Sequence, residues 1–250
     1  MNPFDLSGQV AVITGANTGI GQAIALALAQ AGADIAAVGR TPATETIGQV
    51  QALGRRAINI AADLSSTAPI AQVVSQAESQ LGGIDILVNN AGIIRRADAV
   101  EFSEADWDAV VDTNLKTLFF LSQAVARGMI GKGRGKIIHI ASLLSFQGGI
   151  RVPAYTAAKS GVAGLTKAMA NEWSAKGINV NAIAPGYIET NNTEALRADP
   201  VRSRQILERI PAGRWGAPSD IGGAAVFLAS RASDYVHGHV LPVDGGWLGR

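Results

Sequence analysis

The sequence predicts a doubly wound α/β fold, a single domain in which seven parallel strands carry helices on both faces of the sheet. Three observations lead there. Seven short β-rich runs alternate with longer segments of helical period. Runs such as Val10-Ala11-Val12-Ile13 and Ile84-Asp85-Ile86-Leu87-Val88 are nearly all apolar rather than alternating, as strands covered on both faces must be. A glycine-rich turn, Thr14-Gly15-Ala16-Asn17-Thr18-Gly19-Ile20-Gly21, joins the first strand to the first helix.

The strands are expected at 9–14, 34–38, 57–62, 84–89, 136–141, 179–184 and 240–243. In the first helix Ile20, Ala23, Ile24, Ala27, Leu28 and Ala31 share one face, and Gly32 stands just past the end. Ser103, followed by Glu104, Ala105 and Asp106, reads as a capped start of a helix running past Asn114 towards Met129. The polar stretch 187–218 interrupts the strand–helix rhythm and is expected to form a substrate lid on the same domain, which spans 1–250.

Composition narrows the class. A chain of 250 residues can bury a full core as one domain. A net charge of +1 gives no reason to expect a nucleic-acid partner. With no cysteine there is no disulfide, thiol catalyst or thiolate metal site, and no metal is expected. The N-terminal segment lacks secretory features and no run of about 18 apolar residues occurs, so a cytoplasmic protein without membrane spans is expected.

Glycines in the first turn let backbone approach a pyrophosphate, which the helix N-terminus then stabilises; a plain tight turn is the competing reading. The end of the second strand, Val38-Gly39-Arg40-Thr41, carries no acid for a ribose 2′-hydroxyl. Arg40 alone favours NADP, or it stacks on adenine. Asp63 and Leu64 after the third strand suit the adenine, although Asp63 equally suits a turn. Asn89-Asn90-Ala91-Gly92 after the fourth strand offers amides and small residues to the ribose and nicotinamide side, or is an asparagine–glycine turn.

Tyr155 and Lys159 lie four apart on one predicted helix face, where a cation can bring a phenol towards its working range for proton transfer. The pair alone could equally be a surface lysine beside a half-buried tyrosine. Ser142 ends the fifth strand, and ligands bind at the carboxyl ends of strands in such sheets. His139, His237 and His239 read as structural.

Taken together, Thr14 to Gly21, Asn89 to Gly92, Asn114, Ser142, Tyr155 with Lys159, Pro185-Gly186 and Thr190 resemble the short-chain dehydrogenase/reductase family over nearly the whole chain. The resemblance implies a Rossmann fold and hydride transfer between a nicotinamide cofactor and a CH–OH group. Tyr155 would be the general acid–base, and Lys159 would lower its pKa and bind the nicotinamide ribose. Ser142 would hydrogen-bond the substrate oxygen, and Asn114 would hold a relay water. Gly15, Asn17, Thr18, Gly19, Ile20, Gly21, Arg40, Asp63, Leu64, Asn90, Ala91, Gly92, Pro185, Gly186, Ile188 and Thr190 would line the cofactor with Tyr155 and Lys159. A homotetramer is also implied.

The stretches 89–96, 144–153 and 184–193 resemble the bacterial 2-deoxy-D-gluconate 3-dehydrogenase and 2-dehydro-3-deoxy-D-gluconate 5-dehydrogenase branch of that family. That branch implies a deoxy sugar acid as substrate and NAD as cofactor, with NADP open because of Arg40. Arg96 is the first choice for the carboxylate, ahead of Arg151 and Gln147, with Ser142, Tyr155 and Tyr187 completing the substrate set; either arginine could instead be a surface ion-pair partner. A 3-oxoacyl thioester reductase, another polyol or gluconate dehydrogenase, and a non-enzymatic dinucleotide sensor are the alternatives.

Overall fold

The computed structural model describes residues 2–250. Seven strands form one sheet: β1 (Val10–Thr14), β2 (Asp34–Gly39), β3 (Ala57–Ala61), β4 (Ile86–Asn89), β5 (Gly135–Ile140), β6 (Ile178–Pro185) and β7 (Val240–Val243). Their order is β3-β2-β1-β4-β5-β6-β7 and every neighbouring pair is parallel. Observed ends differ from the expected ones by at most two residues. The order reverses between β1 and β4, so a crevice opens there at the carboxyl ends of the strands.

Side chains alternate across the sheet, and this divides the core in two. Ile13, Ile35, Ile86 and Ile138 pack with Ile24 and Leu28 of α1 (Gly19–Gln30) and Ile221 and Leu228 of α9 (Ser219–Ala229). Val12, Ala36, Leu87 and Ile137 face the opposite way, against a second layer. Its helices include α3 (Ile70–Leu81), α5 (Thr117–Lys132) and α6 (Pro153–Trp173), after α2 (Thr44–Ala52) and α4 (Glu104–Val111). Each fully buried isoleucine or leucine contributes about 2 kcal/mol of apolar transfer. α1 and α9 cross closely because Gly222 has no Cβ, which would lie 2.8 Å from that of Ala27.

The long helix expected from Ser103 starts as predicted, with Ser103 Oγ accepting from Asp106 N at 3.2 Å. It runs past Asn114 as far as Lys132, with one change of winding on the way. Residues Asp112–Lys116 form a π-helical turn between α4 and α5, with Asn114 buried at its centre. After β6 the chain makes an excursion through α7 (Glu194–Ala198) and α8 (Pro200–Leu207). Its neck is closed by a parallel bridge between Ile188 and Gly216, with Glu189 N donating to Gly216 O at 2.8 Å.

Candidate active site

The glycine turn is built by its neighbours. Thr14 Oγ1 accepts from the backbone N–H groups of Asn90 and Ala91, both at 2.9 Å, so the turns after β1 and β4 are stitched together. Asn90 Nδ2 donates to Thr14 O at 2.9 Å and Gly15 O at 3.1 Å. Its amide therefore braces the turn. Gly15 and Gly19 have φ of +66° and +58°, and a Cβ on Gly21 would run into the Gly15 carbonyl. Thr18 precedes α1 without a side-chain cap, leaving the first N–H groups of the helix available to an anion.

Three adjoining clefts run along the crevice. The first, about 260 Å³, is lined by Gly15, Asn17, Thr18, Gly19, Ile20, Gly21, Asn90, Ala91, Gly92 and Thr190 among others. The second, about 140 Å³, continues past Ser142, Tyr155, Lys159, Pro185, Gly186 and Ile188. The third, about 440 Å³, begins at Ser142 and Tyr155 and reaches Arg96, Gln147 and Tyr187. Shared walls join them: Ile20, Asn90 and Gly92 between the first two, Ser142, Tyr155 and Gly186 between the last two.

At the middle of this channel Leu144 N donates to Ser142 Oγ at 3.1 Å, which leaves the serine proton free to donate. Burial raises the Tyr155 phenol above its ordinary pKa, opposed by hydrogen bonding from Ser142 and by the charge of Arg96. Lys159 is buried, donates from Nζ to Ile140 O at 2.5 Å, and has its own pKa lowered to about 8 by burial. The ammonium sits beside the phenol, 5.6 Å from the Tyr155 ring centroid, with one of its protons held by that carbonyl.

Other predicted residues take positions that the sequence alone left open. Arg151 does not line the third cleft; its Nε pairs with Asp98 at 2.9 Å on the surface, and its φ of 64° turns the backbone there. Both polar atoms of the Asn114 side chain bond the backbone of Ile93, Oδ1 to N and Nδ2 to O, each at 2.8 Å. The side chain thus clamps the loop after β4, a backbone role in addition to any water. Leu64 lies under the crevice beside Thr14 and Asn89, and Asp63 accepts from Ser65 N at 3.0 Å as a turn residue. Arg40 is exposed at the end of β2, near enough to help lower the Asp63 carboxyl, after the larger effect of Ser65.

The third cleft also holds residues the sequence reading missed: Asn192, Thr193, Leu196, Arg202, Gln205, Ile206 and Arg209 from the excursion, and Trp247 from the C-terminal segment. Trp247 lies against Tyr187, ring centroids 4.6 Å apart, and donates to Gln147 at 3.3 Å. The i, i+3, i+4, i+7 spacing of Arg202, Gln205, Ile206 and Arg209 was a legible helix stripe. His139 is fully buried between Ser122 and Thr166, and His237 bonds Ser174, so both are part of the packing. Among the described residues no cluster suited to a metal occurs.

Residues 15–248 match a family model described as enoyl-(acyl carrier protein) reductase. A 2-dehydro-3-deoxy-D-gluconate 5-dehydrogenase of Escherichia coli is 61% identical over 100% of this chain and 99% of its own length. The chain belongs to the short-chain dehydrogenase/reductase family. A solved member from Agrobacterium tumefaciens, provisionally assigned as a 2-deoxy-D-gluconate 3-dehydrogenase with bound NADP, is 62% identical with a TM-score of 0.93, covering 100% of both chains. Another short-chain dehydrogenase/reductase, gluconate 5-dehydrogenase of Burkholderia cenocepacia with NADP and tartrate, is 42% identical with a TM-score of 0.95, covering 100% of this chain and 98% of that one. The chain is thus an NAD(P)-dependent oxidoreductase with this family's single parallel sheet.

Proposed function

We propose that this enzyme transfers hydride between NAD(P) and a secondary alcohol or ketone of a deoxy sugar acid, as its 2-dehydro-3-deoxy-D-gluconate 5-dehydrogenase relatives are named for doing. The observation that carries the reading is the third cleft, which runs from Ser142 and Tyr155 to three arginines with no acidic side chain in its wall. A small anion rich in hydroxyls suits it. A long acyl thioester does not, because its apolar chain would meet the arginines of that wall.

The glycine turn fits a dinucleotide: its glycines leave room for the pyrophosphate and the uncapped start of α1 offers donors. When bound, the nicotinamide supplies the hydride acceptor or donor. In oxidation, Tyr155 takes the hydroxyl proton through its phenolate while Ser142 donates to the oxygen as charge develops there. Lys159 would donate to the ribose hydroxyls of a bound dinucleotide and, with Ile140 O as its anchor, stays positioned beside the phenol. Asn114 holds the Ile93 loop that forms one wall of the crevice. In reduction the phenol returns the proton.

Both nucleotides fit this reading. The neutral Asn17-Thr18 pair supports the expected use of NAD, whereas Arg40, with no acid beside it on β2, supports a 2′-phosphate, in keeping with relatives that carry NADP. Replacing Arg40 with Ala should raise KM for NADP about tenfold and leave that for NAD nearly unchanged. The same reading includes residues 187–218 as a lid on one domain, a cytoplasmic location, and a homotetramer, towards which the exposed Trp107 and Phe120 of α4 and α5 point. Light scattering on the purified protein tests the assembly.

Initial rates with each nucleotide across deoxy and keto sugar acids, with the product identified, test the reaction. Turnover of 2-dehydro-3-deoxy-D-gluconate or 2-deoxy-D-gluconate is the expected result, and its near abolition in Tyr155→Phe, with cofactor binding kept, assigns it to this site. Activity confined to 3-oxoacyl thioesters would overturn the proposal.

A further inference from the structure

The charges around the third cleft fall into two groups. Arg202, Gln205, Ile206 and Arg209 form one stripe along α8 and the turn that ends it, and all four line the cleft. Ile206 fixes the direction of that stripe, because it is buried among Leu143, Ile210 and Trp247. The Arg209 guanidinium lies over the Trp247 ring, 4.1 Å from its centroid, and that ring is held by Gln147. Arg202 donates to Gln205 at 3.3 Å. Neither arginine has a carboxylate partner among the described residues.

The Tyr187 phenol, raised by burial, feels the opposing charge of both Arg202 and Arg209, so the two cations converge on the same part of the cleft. Arg96 stands apart from them. Its Nη2 donates to Asn192 O at 3.2 Å, and its charge is felt at Tyr155 rather than at Tyr187. A carboxylate beside Arg96 would lie next to the reacting phenol and oppose formation of the phenolate. Beside Arg202 and Arg209 it would meet two free cations, one already held flat by an indole.

We propose that Arg202 and Arg209 together bind the carboxylate of the substrate, rather than Arg96, whose guanidinium is already engaged by the Asn192 carbonyl. The proposal deepens the sugar-acid reading and rests on it for the identity of the anion. Its consequence is a division of labour along the cleft. The reacting carbon sits between Ser142 and Tyr155, and the acid group is held by the excursion. Binding an acid therefore ties α8 to the substrate and holds it over the reacting end, while a neutral polyol leaves α8 without that tie.

Calorimetric titration of gluconate and of glucitol, its neutral counterpart of equal carbon number, tests this in Tyr155→Phe protein saturated with NADP, where no turnover interferes. Gluconate should bind about tenfold or more tightly than glucitol. Arg202→Gln and Arg209→Gln should each lower gluconate affinity about tenfold and leave glucitol unchanged. Arg209→Lys, which keeps charge and loses the stacked plane, should recover part of the loss. Arg96→Gln should leave the gluconate-to-glucitol ratio intact. Thermal melting of each variant confirms that it is folded. Equal binding of the two ligands by the parent, an unchanged ratio in the α8 variants, or loss of the ratio in Arg96→Gln each overturns the proposal. Selective gluconate binding that depends on Arg202 and Arg209, in an enzyme that oxidises no sugar acid, would sustain this site and sink the proposed reaction.

Discussion

Lys159 Nζ donates to the carbonyl of Ile140 at 2.5 Å, on the strand that ends two residues before Ser142, and stands 5.6 Å from the centroid of the Tyr155 ring. The ammonium is thus anchored to the sheet and free to offer its remaining protons to the crevice. Its burial has a cost. A fall from 10.5 to about 8 means that the folded protein holds the charged form less well than the unfolded chain does.

Lys159→Met should therefore stabilise the unliganded protein while removing activity. At about 1.4 kcal/mol per pH unit the penalty approaches about 3 kcal/mol below pH 8 and is relieved as pH rises towards 10.5. Urea unfolding at pH 7 and pH 10 checks this: the variant should gain most at pH 7 and little at pH 10. A variant less stable than the parent at pH 7 would show that the Ile140 bond outweighs the burial of charge.

Arg96→Gln should move the rate of alcohol oxidation to higher pH. The Arg96 charge lowers the Tyr155 phenol against the upward effect of burial, so its removal leaves the phenolate harder to form. The pH dependence of kcat/KM reads this directly. An unshifted ascending limb would mean that Arg96 does not act on Tyr155.

His139 should limit stability in acid. Burial, with the Lys159 charge adding to it, lowers its pKa from 6.5 to about 3, so the folded protein keeps the ring neutral between Thr166 Oγ1 at 2.9 Å and Ser122 Oγ at 3.2 Å. The unfolded chain binds the proton first, and stability present above pH 6.5 is lost as pH falls from 6.5 towards 3, by about 1.4 kcal/mol per unit. His139→Gln should be the less stable protein at pH 7 and should show a shallower loss between pH 6 and pH 4. Parallel pH profiles for the two proteins would falsify this.

Gly21→Ala should lower stability by about 2 kcal/mol or more and abolish dinucleotide binding, because the new methyl would meet Gly15 O and Asn90 Nδ2 where the two turns are stitched. Gly48→Ala is the contrasting change. Gly48 lies in α2 with open space around it, and the substitution should stabilise by about 1 kcal/mol. Denaturant midpoints for the two variants should move in opposite directions.

The sequence by itself determined the strands, the glycine turn and the Tyr155–Lys159 pair, because these follow from interactions within a few residues: apolar period, turn chemistry and the four-residue repeat of a helix. Tertiary structure decided what those parts do to one another. Thr14 and Asn90 are 76 residues apart and hold each other's turns. Asn114 reaches back to Ile93 from a π-helical turn with no local signal. The α8 stripe was readable as a helix face, but only Trp247 and Leu143, packed against Ile206, aim its two arginines into the cleft. Arg151 lies only four residues from Tyr155, yet a backbone turn and Asp98 carry it to the surface. Short-range order fixes which elements form; the direction a side chain faces depends on partners that the chain brings near only when it is folded.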